Sequence, residues 1–184
     1  LGGKITFNNL NIDSKQPDAA ILEVLKMVGA EILIDKNITI KRNELKGFDF
    51  DISNCPDLFP SISILASFCE GKSRIYGIKR LKYKESDRLN SVVENFAKAK
   101  IKFEVEKDYF TIYGNPNYIG KKADDEIITL SSFSDHRIFM AFSIFGCFFN
   151  KNIEIVDNFS YKKSYENFLN DFISLGGKIE ERDE

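Results

Sequence analysis

The feature that most constrains the fold of this chain is an internal repeat with a spacing of about 70 to 80 residues. Each copy begins with a predicted short strand, at residues 2–7, 71–76 and 150–155. Each of these strands leads through a loop into a predicted amphipathic helix. A repeat of this length indicates that one supersecondary unit is used three times, rather than a solenoid of short repeats.

Each predicted amphipathic helix is followed by a turn and a further strand. The helices are predicted at residues 19–28, 89–99 and 165–175, and the strands after them at residues 29–34, 100–105 and 176–180. Gly29 and Gly176 directly follow the first and third helices, where glycine commonly ends a helix. The first two copies are predicted as strand, helix, strand, strand, helix, and the third as a shorter one.

Two other predicted helices, at residues 58–68 and 137–148, are apolar on nearly all faces. Such helices lie inside a domain and are covered by amphipathic elements. They are too short for the roughly 20 residues that a membrane crossing needs. The sequence therefore predicts a fold of the α/β (α+β) class, in which residues 1–184 form a single domain with pseudo-threefold units around buried helices.

The composition narrows the classes of partner. The 184 residues carry a formal net charge of −2, which gives no reason to expect nucleic acid as a partner, and no membrane partner is expected either. Cys55, Cys69 and Cys147 are scattered, a pattern that favours neither a disulfide framework nor a zinc site. We predict that Cys69 and Cys147 are buried in apolar runs, and that the protein is cytoplasmic.

The densest cluster of ionisable groups is Lys-Glu-Ser-Asp-Arg at residues 84–88, just before an apolar-periodic run. Helix starts carry unpaired N–H groups and a partial positive charge, so they favour anions. An acid among bases at such a place suits chemistry on a phosphate or carboxylate. The alternative is a capped helix start, with Ser86 or Asp87 as the N-cap and the other side chains in solvent.

Three further polar sites also lie at predicted helix starts. Asp57 follows Pro56, the triplet Asp-His-Arg occupies residues 135–137, and Lys162-Lys163 precedes the last helix. Helices that point the same way would gather these termini on one anion-attracting face. Each site also has an ordinary explanation, because Asp57 suits a cap, and His136 and Lys163 could be solvated surface residues.

Together, these motifs resemble the 5-enolpyruvylshikimate-3-phosphate synthase family. The resemblance rests on Lys-Glu-Ser-Asp-Arg-Leu at 84–89, Asp-His-Arg at 135–137 and Asn-Cys-Pro-Asp at 54–57, supported by Gln-Pro-Asp at 16–18 and Gly-Ala at 29–30. It runs over essentially the whole chain, and the first two motifs are specific. It implies one lobe of a two-lobed fold whose lobes each contain three βαβαββ units.

The resemblance also implies an activity. The family transfers the enolpyruvyl group of phosphoenolpyruvate to the 5-hydroxyl of shikimate 3-phosphate and releases phosphate, without a metal or organic cofactor. This chain corresponds to the C-terminal lobe, and the phosphate-binding motifs of the N-terminal lobe do not occur in it. The N-terminal lobe is therefore an expected partner, and we expect no turnover from the 184 residues alone.

By position, the resemblance implies that Glu85 moves a proton at the methylene carbon of phosphoenolpyruvate, and that Asp57 is the base that orients the 5-hydroxyl. Lys84 would contact that hydroxyl and the phosphate ester. The remaining residues implied to bind substrate are Arg88 and Arg137, which would hold phosphoenolpyruvate, with Lys163 assisting and His136 lining the site. Asp87 and Asp135 are expected to orient arginines and cap helices.

Some alternatives stay open. Arg80 stands where the family often has a small amide near the shikimate ring, so that contact with the ring is open. Lys82 could supply a substitute cation or lie in solvent. The related transferase that acts on UDP-N-acetylglucosamine ranks lower, because it lacks the Lys-Glu-Ser-Asp-Arg motif. A lobe that binds anions without catalysis is an interpretation from a different class.

Overall fold

The computed structural model of the chain describes residues 3–11, 14–122, 125–157 and 159–180. The strands are β1 Lys4–Phe7, β2 Glu31–Ile34, β3 Ile38–Lys41, β4 Asp49–Asp51, β5 Gly71–Tyr76, β6 Lys102–Val105, β7 Tyr109–Gly114, β8 Ile127–Ser131 and β9 Asn152–Val156. The helices are α1 Ile21–Met27, α2 Phe59–Ser67, α3 Arg88–Lys98, α4 His136–Phe148 and α5 Phe168–Ser174. Short 3-10 helices connect several of them.

The middle of the chain contains one complete βαβαββ unit, β4-α2-β5-α3-β6-β7. Its four strands form a sheet of order β4-β5-β7-β6, in which β4 and β5 are parallel and the other pairs antiparallel. The stretch β1-α1-β2-β3 repeats the second part of this unit, with the equivalent strand order β1-β3-β2. The stretch β8-α4-β9-α5 repeats the first part, with β8 and β9 parallel. The predicted repeat and fold class are confirmed.

The core lies around α2 and α4, which pack against each other. Both helices are apolar on most faces, as predicted, and most of their side chains are buried. Phe96 of α3 joins them to the middle sheet, because its ring contacts those of Phe110, Phe142 and Phe145. The N-terminal ends of the two central helices lie on the same side of the molecule, because Arg88 bonds both to Asp57, just before α2, and to Asp135, the N-cap of α4.

A lysine fixes the far end of α4. The ammonium group of Lys122 donates to the carbonyl oxygens of Gly146, Phe149 and Lys151, at 2.7, 2.8 and 2.8 Å. The last carbonyls of a helix have no partner within the helix, and a cation there also suits the helix dipole. This contact anchors α4 to the chain that leads into β9.

Several predicted elements differ from the observed ones. Residues 176–180 form no strand, because the described chain gives this segment no strand to pair with. The sequence prediction also missed β4 and β8, the strands that precede the two buried helices. The first predicted helix divides into a 3-10 turn, Pro17–Ala20, followed by α1. Residue 2 of the first predicted strand lies outside the described residues.

The cysteines are free where described, but they differ in burial. Cys69 is buried as predicted, and its burial raises the pKa of the thiol to about 12. Cys147 is only partly buried, contrary to the prediction, because it lies in the last turn of α4, where Gly146 and Phe148 are also only partly buried. None of the described helices combines the length and apolarity that crossing a membrane would require.

Candidate active site

The candidate site forms where the N-terminal ends of α2, α3 and α4 meet. Asp57 lies in the 3-10 turn that leads into α2, Arg88 is the first residue of α3, and His136 is the first residue of α4. Asp87 caps α3 by accepting a hydrogen bond from the backbone N–H of Asn90 at 3.1 Å. The sequence prediction that these helix starts share one face is confirmed by the contacts between them.

Asp57 is the common acceptor of this site. One carboxylate oxygen accepts from Lys84 at 2.9 Å and from Arg88 at 2.6 Å, and the other accepts from Arg137 at 3.3 Å. Its side chain does not cap a helix, which removes the ordinary explanation for an acid at this position. Three cations from three different segments thus converge on one partly exposed carboxylate.

Arg88 is held between two carboxylates. Its Nε donates to Asp135 at 2.8 Å, while Nη1 donates to Asp57. The side chain of Arg88 is only 2% exposed and that of Asp135 is fully buried. Asp135 also caps α4 through the N–H of Arg137 and accepts from the hydroxyl of Ser86 at 3.1 Å. A buried ion pair needs such additional hydrogen bonds to offset the cost of removing both charges from water.

Both acids of this network are stronger than free aspartic acid. Burial raises the pKa of Asp57, but the hydrogen bond from Lys84 and the charges of Arg137 and Arg88 outweigh it and leave the pKa below its usual value. Burial likewise raises the pKa of Asp135, and the hydrogen bond and charge of Arg88 reverse the effect. Both carboxyl groups are therefore ionised at neutral pH.

Glu85 and His136 form a separate pair at the edge of the network. The Nδ1 atom of His136 lies 2.7 Å from a carboxylate oxygen of Glu85. The imidazole is almost buried, whereas the Glu85 side chain is 43% exposed. The histidine therefore holds the carboxylate in a fixed direction while leaving it open to a molecule in the cleft.

Lys163 reaches the site from the last 3-10 helix. Its ammonium group donates to the carbonyl oxygen of Ser134, at 2.9 Å, one residue before the Asp-His-Arg triplet. Phe133 and Ser134 both adopt positive φ angles, of 52° and 55°, which non-glycine residues rarely do. Lys163 thus supports a strained turn, and its charge remains at the exposed rim.

A surface cavity of about 310 Å³ opens on the Asp57 side of the network. Its polar lining consists of Gln16, Asp18, Asn54, Asp57, Arg80 and Lys84. A larger groove of about 500 Å³ lies on the first sheet, and no predicted site residue lines it. We assign the chemistry to the smaller cavity, because the ionised groups converge there.

Sequence reasoning missed two groups that shape this site. Asp18 pairs with Arg137 at 3.4 Å, although its Gln-Pro-Asp segment attracted notice without a role. Asn95, fully buried on α3, donates to the carbonyl of Ser131 and accepts from its N–H, at 2.9 and 3.0 Å. This clamp fixes the turn before Asp135. A polar residue on the apolar stripe of α3 was the available signal.

The site suits anions better than a metal ion. Ligand atoms of Glu85, Asp135 and His136 lie within 4.8 Å of one another. Asp135 is already bonded to the permanently charged Arg88, and His136 uses Nδ1 for Glu85. A second cation placed beside Arg88 would be repelled, whereas a phosphate or carboxylate would be attracted by the surrounding cations.

Comparison with known proteins gives a consistent result. A family model described as EPSP synthase (3-phosphoshikimate 1-carboxyvinyltransferase) matches residues 1–172. The 3-phosphoshikimate 1-carboxyvinyltransferase of Brachyspira hyodysenteriae is 38% identical over 97% of this chain and 42% of its own length. That of Pyrococcus abyssi is 40% identical over 93% of this chain and 40% of its own length. This chain therefore spans about two fifths of the length of the curated relatives it matches.

Solved structures agree on the fold. The EPSP synthase of Acinetobacter baumannii superposes with a TM-score of 0.79 at 26% identity, covering 97% of this chain and 43% of that one. The enolpyruvyl transferase NikO of Streptomyces tendae superposes with a TM-score of 0.65 at 15% identity, over 96% of this chain and 39% of that one. The second likeness concerns the fold alone.

Proposed function

Because the chain belongs to the EPSP synthase family, we propose that it supplies one lobe of an enzyme that transfers the enolpyruvyl group of phosphoenolpyruvate to the 5-hydroxyl of shikimate 3-phosphate, with release of phosphate. A second, N-terminal lobe supplies the remaining contacts. The enzyme is cytoplasmic, and neither nucleic acid nor a membrane takes part. The observation that carries the proposal is the convergence of Lys84, Arg88 and Arg137 on Asp57 beside the Glu85–His136 pair.

The reaction needs a base at the attacking hydroxyl. Asp57 is ionised, lines the cavity and is oriented by three cations, so it can accept a hydrogen bond from the 5-hydroxyl. Lys84 lies 2.9 Å from Asp57 and lines the same cavity, so its ammonium group can donate to that hydroxyl oxygen and to a nearby phosphate ester. As the new carbon–oxygen bond forms, the hydroxyl proton passes to Asp57. That proton is then given up to the released phosphate, which restores the Asp57 carboxylate.

The reaction also needs an acid at the methylene carbon. Glu85 in its protonated form donates the proton that turns the methylene into a methyl group, and the central carbon becomes electrophilic. The same carboxylate removes a methyl proton when the tetrahedral adduct releases phosphate, so the overall transfer consumes no proton from Glu85. His136, at 2.7 Å, holds the carboxyl group in place.

Two anionic substrates require several cations. Arg137 is about one third exposed and can turn toward a carboxylate or phosphate without leaving a buried position. Arg88 is buried and would reach the substrate only by exchanging its bond to Asp57 for one to the substrate anion. Lys163 adds positive charge at the rim, next to the turn that carries the Asp-His-Arg triplet.

A substitution at Glu85 tests this proposal. In the complete two-lobed enzyme, we expect Glu85→Gln to reduce kcat by about 10² to 10⁴ while substrate binding changes little, because shape is kept and proton transfer is lost. Phosphate release under saturating substrates measures the effect, and calorimetric titration measures binding. Asp108→Asn, which neutralises an exposed acid paired with Lys79, is the matched control.

Two results would contradict the proposal. Unchanged turnover in Glu85→Gln would remove this residue from the chemistry. Absence of turnover in the unmodified two-lobed protein, with both anions still bound, would favour the interpretation of a lobe that binds anions without catalysis.

A further inference from the structure

Asn95 of α3 is fully buried, although the chemistry proposed above gives it no role. A buried amide is costly unless its donor and its acceptor are both bonded. Asn95 bonds one residue twice, because its Nδ2 donates to the carbonyl oxygen of Ser131 at 2.9 Å and its Oδ1 accepts from the N–H of Ser131 at 3.0 Å. Since a backbone N–H only donates and a carbonyl only accepts, this pair of bonds fixes the orientation of the amide.

These two bonds replace those that a neighbouring strand would make. Ser131 is the last residue of β8, which pairs with β9. The N–H of the next residue, Ser132, donates to the carbonyl of Val156 in β9, so the backbone groups of Ser131 point to the opposite edge of β8. Asn95 binds that edge and therefore fixes where β8 ends relative to α3.

The turn from Ser131 to Asp135 needs such support. Phe133 and Ser134 have positive φ angles, which non-glycine residues keep only when surrounding contacts hold them. Their N–H groups donate to the hydroxyls of Ser131 and Ser132, both at 3.1 Å, and the N–H of Asp135 donates to the carbonyl of Ser132 at 3.0 Å. These bonds are internal to the turn, so they fix its shape but not its place on the protein.

Helix α3 binds both ends of this turn. Asn95 binds the start at Ser131, and the Nε of Arg88 donates to the end at Asp135, at 2.8 Å. Arg88 and Asn95 are two helical turns apart, so they share one face of α3 and are separated by about 10 Å along its axis. A single attachment would let the turn rotate about it, whereas two separated attachments fix both its place and its direction.

The clamped turn connects two groups that the proposed chemistry needs at a fixed distance. Glu85 lies just before the N-terminal end of α3, and His136 directly follows Asp135. The contact of 2.7 Å between their side chains therefore depends on how the turn is placed on α3.

We propose that Asn95 is a positioning residue for the reaction, which together with Arg88 sets the His136 ring against the Glu85 carboxylate. For its effect on turnover, this inference rests on the proposed function, in which Glu85 moves the proton at the methylene carbon. A displacement of about 1 Å in a catalytic group can cost on the order of 10²-fold in rate, even when its cause lies away from the chemistry.

The experiment compares Asn95→Leu, Asn95→Asp and Asn90→Leu in the complete two-lobed enzyme. Leucine nearly keeps the size of Asn95 but makes neither bond to Ser131, whereas the aspartate carboxyl can still accept from its N–H. Asn90 is an exposed residue of the same helix, and its side chain bonds to Glu94 rather than to the turn. Asn90→Leu is therefore the matched control.

For Asn95→Leu, we expect kcat to fall about 10- to 100-fold, with the KM for shikimate 3-phosphate changed less than about twofold. The reason for the split is that Asp57 and Lys84 lie on segments outside the clamped turn. Asn95→Asp should lose less activity, and Asn90→Leu should match the unmodified enzyme. Circular dichroism confirms that each variant is folded at the assay temperature, and Asn95→Asp decides the matter if Asn95→Leu does not fold.

The imidazole of His136 gives a second readout that needs no turnover. It is the only histidine of the 184 residues, and in the complete enzyme its Cε1–H proton signal is the one that disappears in His136→Gln. We expect this signal to shift in Asn95→Leu, because the ring is displaced from Glu85, and to stay in place in Asn90→Leu.

The possible outcomes separate the two proposals. A folded Asn95→Leu enzyme with unchanged kcat would overturn the positioning role, and so would a loss of kcat without a shift of the His136 signal. Both results leave the proposed function intact. Failure of the unmodified enzyme to convert the two substrates would remove the proposed function, while the His136 signal would still decide whether Asn95 places the ring.

Discussion

The first and second copies of the repeat form sheets with the same strand order, but helices bury the apolar faces of the two sheets to different extents. In both, alternation along the strands places apolar side chains on one face. In β5-β7-β6 the central residues of this face, Ile75, Phe110 and Ile112, are fully buried. In β1-β3-β2 the corresponding face buries Ile38 of the central strand, but its edge strands leave Ile5, Phe7 and Ile34 between 36% and 43% exposed.

The difference arises from the number of helices on each sheet. Helix α2 packs against β5 and β7, and α3 packs against β6. The first sheet receives α1 against β2, and the described residues include no helix over β1 comparable to α2 over β5. Strand alternation therefore decides which face is apolar, whereas burial of that face needs two helices. The second sheet also lies beside the site, since the two helices that cover it, α2 and α3, have Asp57 and Arg88 at their N-terminal ends.

The largest expected effect is the loss of a ring from the covered face. We expect Phe110→Ala to lower the free energy of unfolding by about 3 to 5 kcal/mol, because it leaves a cavity among closely packed rings. The matched change Phe7→Ala should cost no more than about 1.5 kcal/mol, since over a third of that side chain already meets water. Urea denaturation measures both. Equal costs in the complete two-lobed protein would show that another segment covers the first sheet there.

The second comparison concerns ion pairs. Arg88→Met should reduce the free energy of unfolding on the order of 3 kcal/mol, because it leaves Asp135 buried without its partner. The exposed pair between Lys41 and Glu31 on the first sheet, at 3.3 Å, should contribute at most about 1 kcal/mol when Lys41→Met removes it. Thermal and urea unfolding measure the two variants. A cost for Lys41→Met as large as that for Arg88→Met would break the contrast between the two copies.

The smallest expected effect is a change in pH dependence. The pKa of Asp135 is lower in the folded protein than its ordinary value of 3.8, so its contribution to stability is present above about pH 4 and is lost as the pH falls through the folded-state pKa. Asp135→Asn should therefore be less stable at neutral pH and lose stability less steeply in acid. Unfolding free energies measured between about pH 2 and pH 7 test both expectations.

Much of this fold could be predicted from local pattern. The strongly periodic helix α3 begins and ends within one residue of its prediction, and β5 occupies the predicted residues. The short strand β4 was missed, because three residues carry no usable alternation. Residues 176–180 resemble a strand in sequence, but a strand also needs a neighbour to pair with. Local pattern cannot supply that neighbour.

The candidate site, like the fold, was predicted only in part from the sequence. Sequence placed the charged residues at helix starts and predicted that these starts would meet. It did not show that Asp57 accepts from three cations, or that Arg88 is buried between two carboxylates. Those facts depend on how segments 27 to 80 residues apart are oriented toward one another. Burial of an arginine cannot be read from its neighbours in sequence, since the type is usually exposed.

The position of Asp57 among its cations has a consequence for the timing of catalysis. Its carboxylate binds both Lys84 and Arg137 and so keeps these two cations oriented toward one point. The same contacts make it a weak base, because they lower its pKa. An incoming phosphate or carboxylate that draws Arg137 away would raise that pKa and strengthen the base. In the reaction proposed above, proton abstraction would then become favourable only once both the donor and the acceptor of the enolpyruvyl group are in place.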